Sequence, residues 1–210
     1  MTSKKITMTT ADDANGPPVT MFKSLAVALK DLEPYIRNGR HLQVGDEFKE
    51  FGGLRSRELL GNWLLCVVGN YFSGRDRYTF ASDPLGGDGL IVDKTTELCL
   101  QTEHVFEPGP HPGAPEGRGE DVGKLILEKI EHKVKRGKEY GEGKTLIVLC
   151  NEIGEWWPNR VGRALPDPLH FDAVWVTALL NGARNPVACW ASSIRCSTSP
   201  RSNPASSLST

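Results

Sequence analysis

The sequence lacks most of what would tie it to a membrane, a structural metal or an oxidising compartment. No run approaches the roughly 18 apolar residues of a membrane-spanning helix. The N-terminus carries Thr, Ser and Asp where a signal peptide would have its apolar stretch. Five cysteines make an odd number, no CxxC pair occurs, and Cys66, Cys99 and Cys150 lie inside apolar runs where a thiol behaves as a small hydrophobe. The histidines (His41, His104, His111, His132 and His170) show no zinc-ligand spacing. These absences predict a cytoplasmic chain held together by hydrophobic burial. Charge of one sign is also missing: the net charge is −1, so a polyanionic partner would have to be met by a local basic stripe rather than by the whole surface.

What remains is the composition of one globular domain, with 210 residues, 39% hydrophobic and 24% charged. Residues 1–19 are rich in Thr, Ser, Asp, Gly and Pro and read as a flexible leader. Residues 20–180 form the expected domain. From 181 to 210 Ser and Pro accumulate, and no acidic residue follows Asp172, so this Ser/Pro-rich tail is expected outside the core.

Within the domain, Phe22, Leu25, Ala26, Leu29 and Leu32 recur at helical spacing and predict a helix from a Thr20 cap through Ile36, with Pro34 set against its last turn. Leu59, Leu60, Trp63, Leu64, Val67 and Val68 predict a second helix, from about Arg55 to Gly69 and Asn70. Three short strands follow at Arg77 to Ala81, Asp88 to Asp93 and Glu97 to Val105, with turn residues between them, and links this short imply an antiparallel meander. Glu107 to Gly119 holds four prolines and four glycines and reads as a loop. Asp121 opens a lysine-rich helix to about Glu139, and Thr145 to Cys150 is a continuous apolar run, as in a strand covered on both faces. Asn151 to Leu169 reads as a second loop, and Phe171 to Leu180 as a last strand or a short buried helix.

The residues able to carry chemistry sit in the middle of this order. Asp88, in Gly87-Asp88-Gly89-Leu90-Ile91, opens the second strand, Gln101-Thr102-Glu103 lies near the end of the third, and Glu58 stands on the helix before them. With these residues, the segment from Arg55 to Cys150 resembles the αβββαβ core of the PD-(D/E)XK nucleases, the restriction-endonuclease-like fold. The resemblance covers about half the chain. It implies an α/β fold in which a mixed sheet is flanked by helices. Asp88 takes the place of the family's first acid, and Gln101-Thr102-Glu103 the place of its (D/E)XK triplet. Glu58 matches a helix carboxylate that some members add to the metal site.

The implied cofactor is Mg2+ or Mn2+, held by Asp88, Glu103 and Glu58, because hydrolysing a phosphodiester calls for a hard cation with oxygen ligands. The implied partner is nucleic acid, with no membrane; many members dimerise, which leaves a homodimer open. The triplet departs from the family pattern. Gln101 supplies a carbonyl oxygen and no charge, and Glu103 stands where the lysine would be. Lys129 or Lys133, on the following helix, is the candidate replacement for that ammonium.

The same residues have ordinary readings. Asp and Gly before a strand are common turn chemistry, Gln and Glu on a strand often form a solvated edge, and a glutamate early in a helix complements its macrodipole. The lysines from Lys124 to Lys138 alternate with Glu128, Glu131 and Glu139, as on a solvated helix face. Trp156 and Trp157 would either stack on unpaired bases or cover a core edge. His104 alternates onto the face opposite Glu103. Three functions therefore compete: a metal-dependent nuclease, a non-catalytic relative that binds nucleic acid or a protein, and an accessory protein with no ligand.

Overall fold

The computed structural model describes residues 24–37, 53–107, 122–150, 156–182 and 185–194, so the leader and most of the long Pro/Gly loop lie outside the described residues. Helix α1 spans Leu25–Arg37 and α2 Ser56–Ser73. The indole N–H of Trp63 donates to the Leu25 carbonyl at 2.8 Å, tying the two helices together. Helix α2 runs a turn beyond the Gly69-Asn70 stop expected from sequence. Those two residues serve the next strand instead: a Cβ on Gly69 would meet the Tyr78 ring at 2.8 Å, and the Asn70 side chain accepts the amides of Arg77 and Tyr78 at 2.8 and 2.6 Å. The helix ends at Gly74, whose φ of 65° is the left-handed conformation that glycine adopts without penalty.

Strands β1 (Tyr78–Ala81), β2 (Leu90–Asp93) and β3 (Leu98–Glu107) form the expected antiparallel meander. The lysine-rich helix is split into α3 (Val122–Val134) and the short α4 (Lys138–Gly141). Gly137 between them has φ 95°, which breaks the helix expected to run unbroken to Glu139. Strand β4 (Lys144–Cys150) then pairs parallel to β3. Part of the second expected loop is α5 (Pro158–Arg163), which opens on a proline at a position where no amide donor is needed. The segment after it is strand β5 (Ala173–Gly182), parallel to β4. The change of composition at residue 181 does not end the sheet, because β6 (Asn185–Ile194) pairs antiparallel with β5.

The result is a mixed α/β fold with six strands in the order β1-β2-β3-β4-β5-β6. Helices cover both faces, and β4 explains why. Ile147 and Leu149 pack with Leu59, Leu60 and Leu64 of α2, whereas Leu146 and Val148 pack with Ile126 and Ile130 of α3. Each such side chain contributes about 1.5–3 kcal/mol when fully buried, so a strand apolar on both faces is stable only between two helical layers. Among the described residues no helix is long and apolar enough to cross a membrane.

Candidate functional site

The β2–β3 register builds the site. Leu90 pairs with Gln101 and Ile91 with Leu100. The Thr102 amide donates to the Gly89 carbonyl at 2.9 Å, which continues the pairing beyond the end of β2. One further step sets Asp88 opposite Glu103, and opposed residues on neighbouring strands share a face. Asp88 is fixed by two hydrogen bonds. Its Oδ2 accepts the His104 amide at 2.7 Å, and its carbonyl accepts the Asn62 side-chain amide at 3.1 Å. Gly89, at φ 135°, leaves room for that amide: a Cβ there would lie 2.3 Å from Asn62 Nδ2.

The two carboxyls are close enough to share a hydrogen bond, and their charges are tuned apart. Burial, the neighbouring Glu103 charge and, more weakly, Glu58 push Asp88 up to about 7. Burial also acts against the charge on Glu103, but hydrogen bonds from Lys133 and Tyr140 outweigh it and hold this carboxyl below its usual range. Lys133 Nζ lies 2.8 Å from Glu103 Oε1, and the Tyr140 hydroxyl donates to the same oxygen. Near neutral pH Asp88 is therefore only partly ionised beside a charged Glu103, and the pair carries less than two negative charges.

Asp88 and Glu103 line an open cavity of about 1110 Å³ between the start of α2 and one side of α3. Glu58 also lines it, but its carboxylate is engaged in accepting the Arg55 backbone amide at 2.9 Å. Arg57, Lys129 and Arg136 bring positive charge to the same walls. Of the four catalytic candidates, the structure brings Asp88, Glu103 and Lys133 together. Gln101 is left out: it faces Leu90 and is absent from the cavity lining. Lys129, the other lysine considered, pairs with Glu107 at 3.2 Å. Among the described residues, no three His, Cys, Asp or Glu side chains are grouped as a metal site.

The chain matches no family model, no curated protein and no solved structure. Its site must be read from its own geometry.

Two contributors escaped the sequence reading. Asn62 is wholly buried in an apolar helix face, where its Oδ1 also accepts the Thr102 hydroxyl at 2.9 Å. A lone amide inside a leucine-rich run was the available signal. Tyr140 arrives from α4, beyond the helix break, and no periodicity marked it. His104 does lie on the face away from Glu103, with its ring against Gly61. Burial drives it down to about 3, so it is neutral, and neither ring nitrogen has a hydrogen-bond partner. Trp156 packs against the core on the α3 side of the sheet, while Trp157 is exposed with the Arg160 guanidinium 5.4 Å from its ring.

Proposed function

We propose that this chain is a metal-dependent phosphodiester hydrolase acting on nucleic acid, built on a restriction-endonuclease-like core. The observation that most supports this reading is the meeting of two carboxyls from neighbouring strands, Asp88 and Glu103, beside a lysine ammonium at an open, cation-rimmed cavity. In this reading the triplet in register with the first acid is Glu103-His104-Val105, two residues along the strand from the expected Gln101-Thr102-Glu103. Val105 then stands in the lysine place, and Lys133 of α3 supplies the ammonium from across the cavity.

The donor set fits Mg2+ or Mn2+ in a particular way. Magnesium keeps several waters and is usually held by one or two carboxylates plus substrate phosphate, so Asp88 and Glu103 suffice, with Glu58 as a reserve ligand if Arg55 releases it. A cation's charge would also offset the repulsion from Glu103 that raises Asp88 and let both carboxyls ionise. Bound there, the metal would neutralise the phosphate and lower the pKa of an attacking water. The chain's own residues do the rest. Lys133 orients Glu103 and brings positive charge to the developing phosphate charge, and Arg57, Lys129 and Arg136 attract the flanking backbone.

The test is incubation with Mg2+ or Mn2+ and single- and double-stranded DNA and RNA. Metal-dependent cleavage should fall by about 100-fold or more in Asp88→Asn, Glu103→Gln and Lys133→Ala. Cleavage unchanged in all three would remove the proposal. A second reading, a non-catalytic relative that binds nucleic acid or a protein, is favoured by two observations: Lys133 already neutralises Glu103, and among the described residues no third ligand is grouped with the pair. Nucleic-acid binding indifferent to metal and to Asp88→Asn, without cleavage, would select it.

A further inference from the structure

Tyr140 closes a ring of hydrogen bonds that the proposed reaction has not yet used. Its hydroxyl donates to Glu103 Oε1 and accepts from Lys133 Nζ at 3.1 Å, while Lys133 itself donates to that same oxygen at 2.8 Å. Oε1 thus receives two strong donors. For Oε2 the cation within reach is Lys144 at 3.9 Å, beyond hydrogen-bond range. Lys133 and Tyr140 thus hold the carboxylate by Oε1, and the hydrogen bond Glu103 shares with Asp88 is the contact a cation would replace.

The ring of Tyr140 is as constrained as its hydroxyl. Arg136, Lys144 and Lys133 lie 4.7, 4.9 and 5.6 Å from its centroid, and Phe171 meets it edge-on at 6.3 Å. The negative face of an aromatic ring attracts cations, and two of the three, Lys133 and Lys144, also lie within 4 Å of the Glu103 carboxylate. A lysine ammonium alone holds an acceptor loosely, because its three donors turn freely on a flexible stem. A phenol on a wedged ring donates one hydrogen in one direction.

We propose that Tyr140 is a positioning residue of this site: with Lys133 it holds Oε1 of Glu103, so that Glu103 offers a divalent cation the single oxygen Oε2 beside Asp88. This rests on the metal-dependent reading above. Its consequence is a carboxylate already set for one-oxygen ligation before the cation arrives, with no side chain left to order. Partners that hydrogen-bond a ligating carboxylate typically affect metal affinity by about 10- to 100-fold.

Tyr140→Phe separates the hydroxyl from the ring, since the cations and Phe171 keep their aromatic neighbour. Mn2+ is titrated into wild-type and variant protein and followed by the loss of the free-ion EPR signal, with thermal unfolding of the metal-free proteins alongside. The expected result is Mn2+ binding about 10-fold weaker in the variant, with the unfolding midpoint held. Equal Mn2+ affinity in the two proteins overturns the assignment, as does a lowered midpoint with unchanged affinity of the folded fraction, which would make the hydroxyl merely structural. Failure of the wild-type protein to bind Mn2+ is a different result. It removes the metal-dependent reading, and the role of Tyr140 with it.

Discussion

Replacing Asp88 by Asn removes one ionisable carboxyl and keeps an oxygen able to accept the His104 amide, so its effect on stability isolates the charge. Asp88 titrates at about 7 in the folded chain and at about 3.9 when unfolded. Between those values the folded chain binds more protons than the unfolded one, so stability falls as pH rises; it is whole below about 4 and reduced above about 7. Three pH steps at about 1.4 kcal/mol each give about 4 kcal/mol as the upper bound. The side chain is 26% exposed, and solvent screening brings the expectation nearer to 2 kcal/mol.

Urea denaturation of both proteins at pH 4 and pH 8 measures this directly. Relative to Asp88→Asn, wild-type protein should lose about 2 kcal/mol between the two pH values. Mn2+ at about 100 times its dissociation constant should return about 2.7 kcal/mol to the wild type alone. A wild-type-to-variant difference that is the same at both pH values would show that Asp88 is not strained by its neighbour, and the electrostatic account of the site would fall.

His104→Leu should be neutral or stabilising by about 1 kcal/mol at pH 8, because it replaces a buried ring with two unpartnered nitrogens. Since His104 titrates near 3 when folded and near 6.5 when unfolded, wild-type stability should be lost as pH falls through that interval. The leucine variant should lack that loss, and circular dichroism melts at pH 4 and pH 8 would check it. Gly89→Ala should destabilise by about 1–3 kcal/mol from backbone strain alone, and more from the clash with Asn62. It should also weaken Mn2+ binding by displacing Asp88, which calorimetry with the metal would report.

Much of the architecture could be read from residue patterns. The leucine spacing of α2, the turn residues bounding β1, β2 and β3, and the two-sided apolar run of β4 each state a local preference that burial then reinforces. The errors had specific causes. Gly69 and Asn70 looked like a helix stop because the sequence does not reveal that Tyr78 would pack over the first and hang its amide on the second. The helix expected from Asp121 to about Glu139 ran across Gly137, whose positive φ splits it and turns Tyr140 back toward the sheet.

The candidate site divides along the same line. Composition and order alone put an acid at the start of the second strand, which the structure begins two residues later at Leu90, and a glutamine and a glutamate on one face of β3, because strand alternation is a local rule. Which of that pair faces the acid is a matter of register between two strands, and register is decided by what each face buries. Leu90 belongs to the small cluster with Val92 and Cys99, which sets Gln101 beside it and leaves Glu103 opposite Asp88. The ammonium and the phenol come from α3 and α4, which are close to β3 only because the parallel β3–β4 pairing lays them across the sheet. Local sequence determined which groups exist; contacts between residues far apart in the chain decided which of them meet.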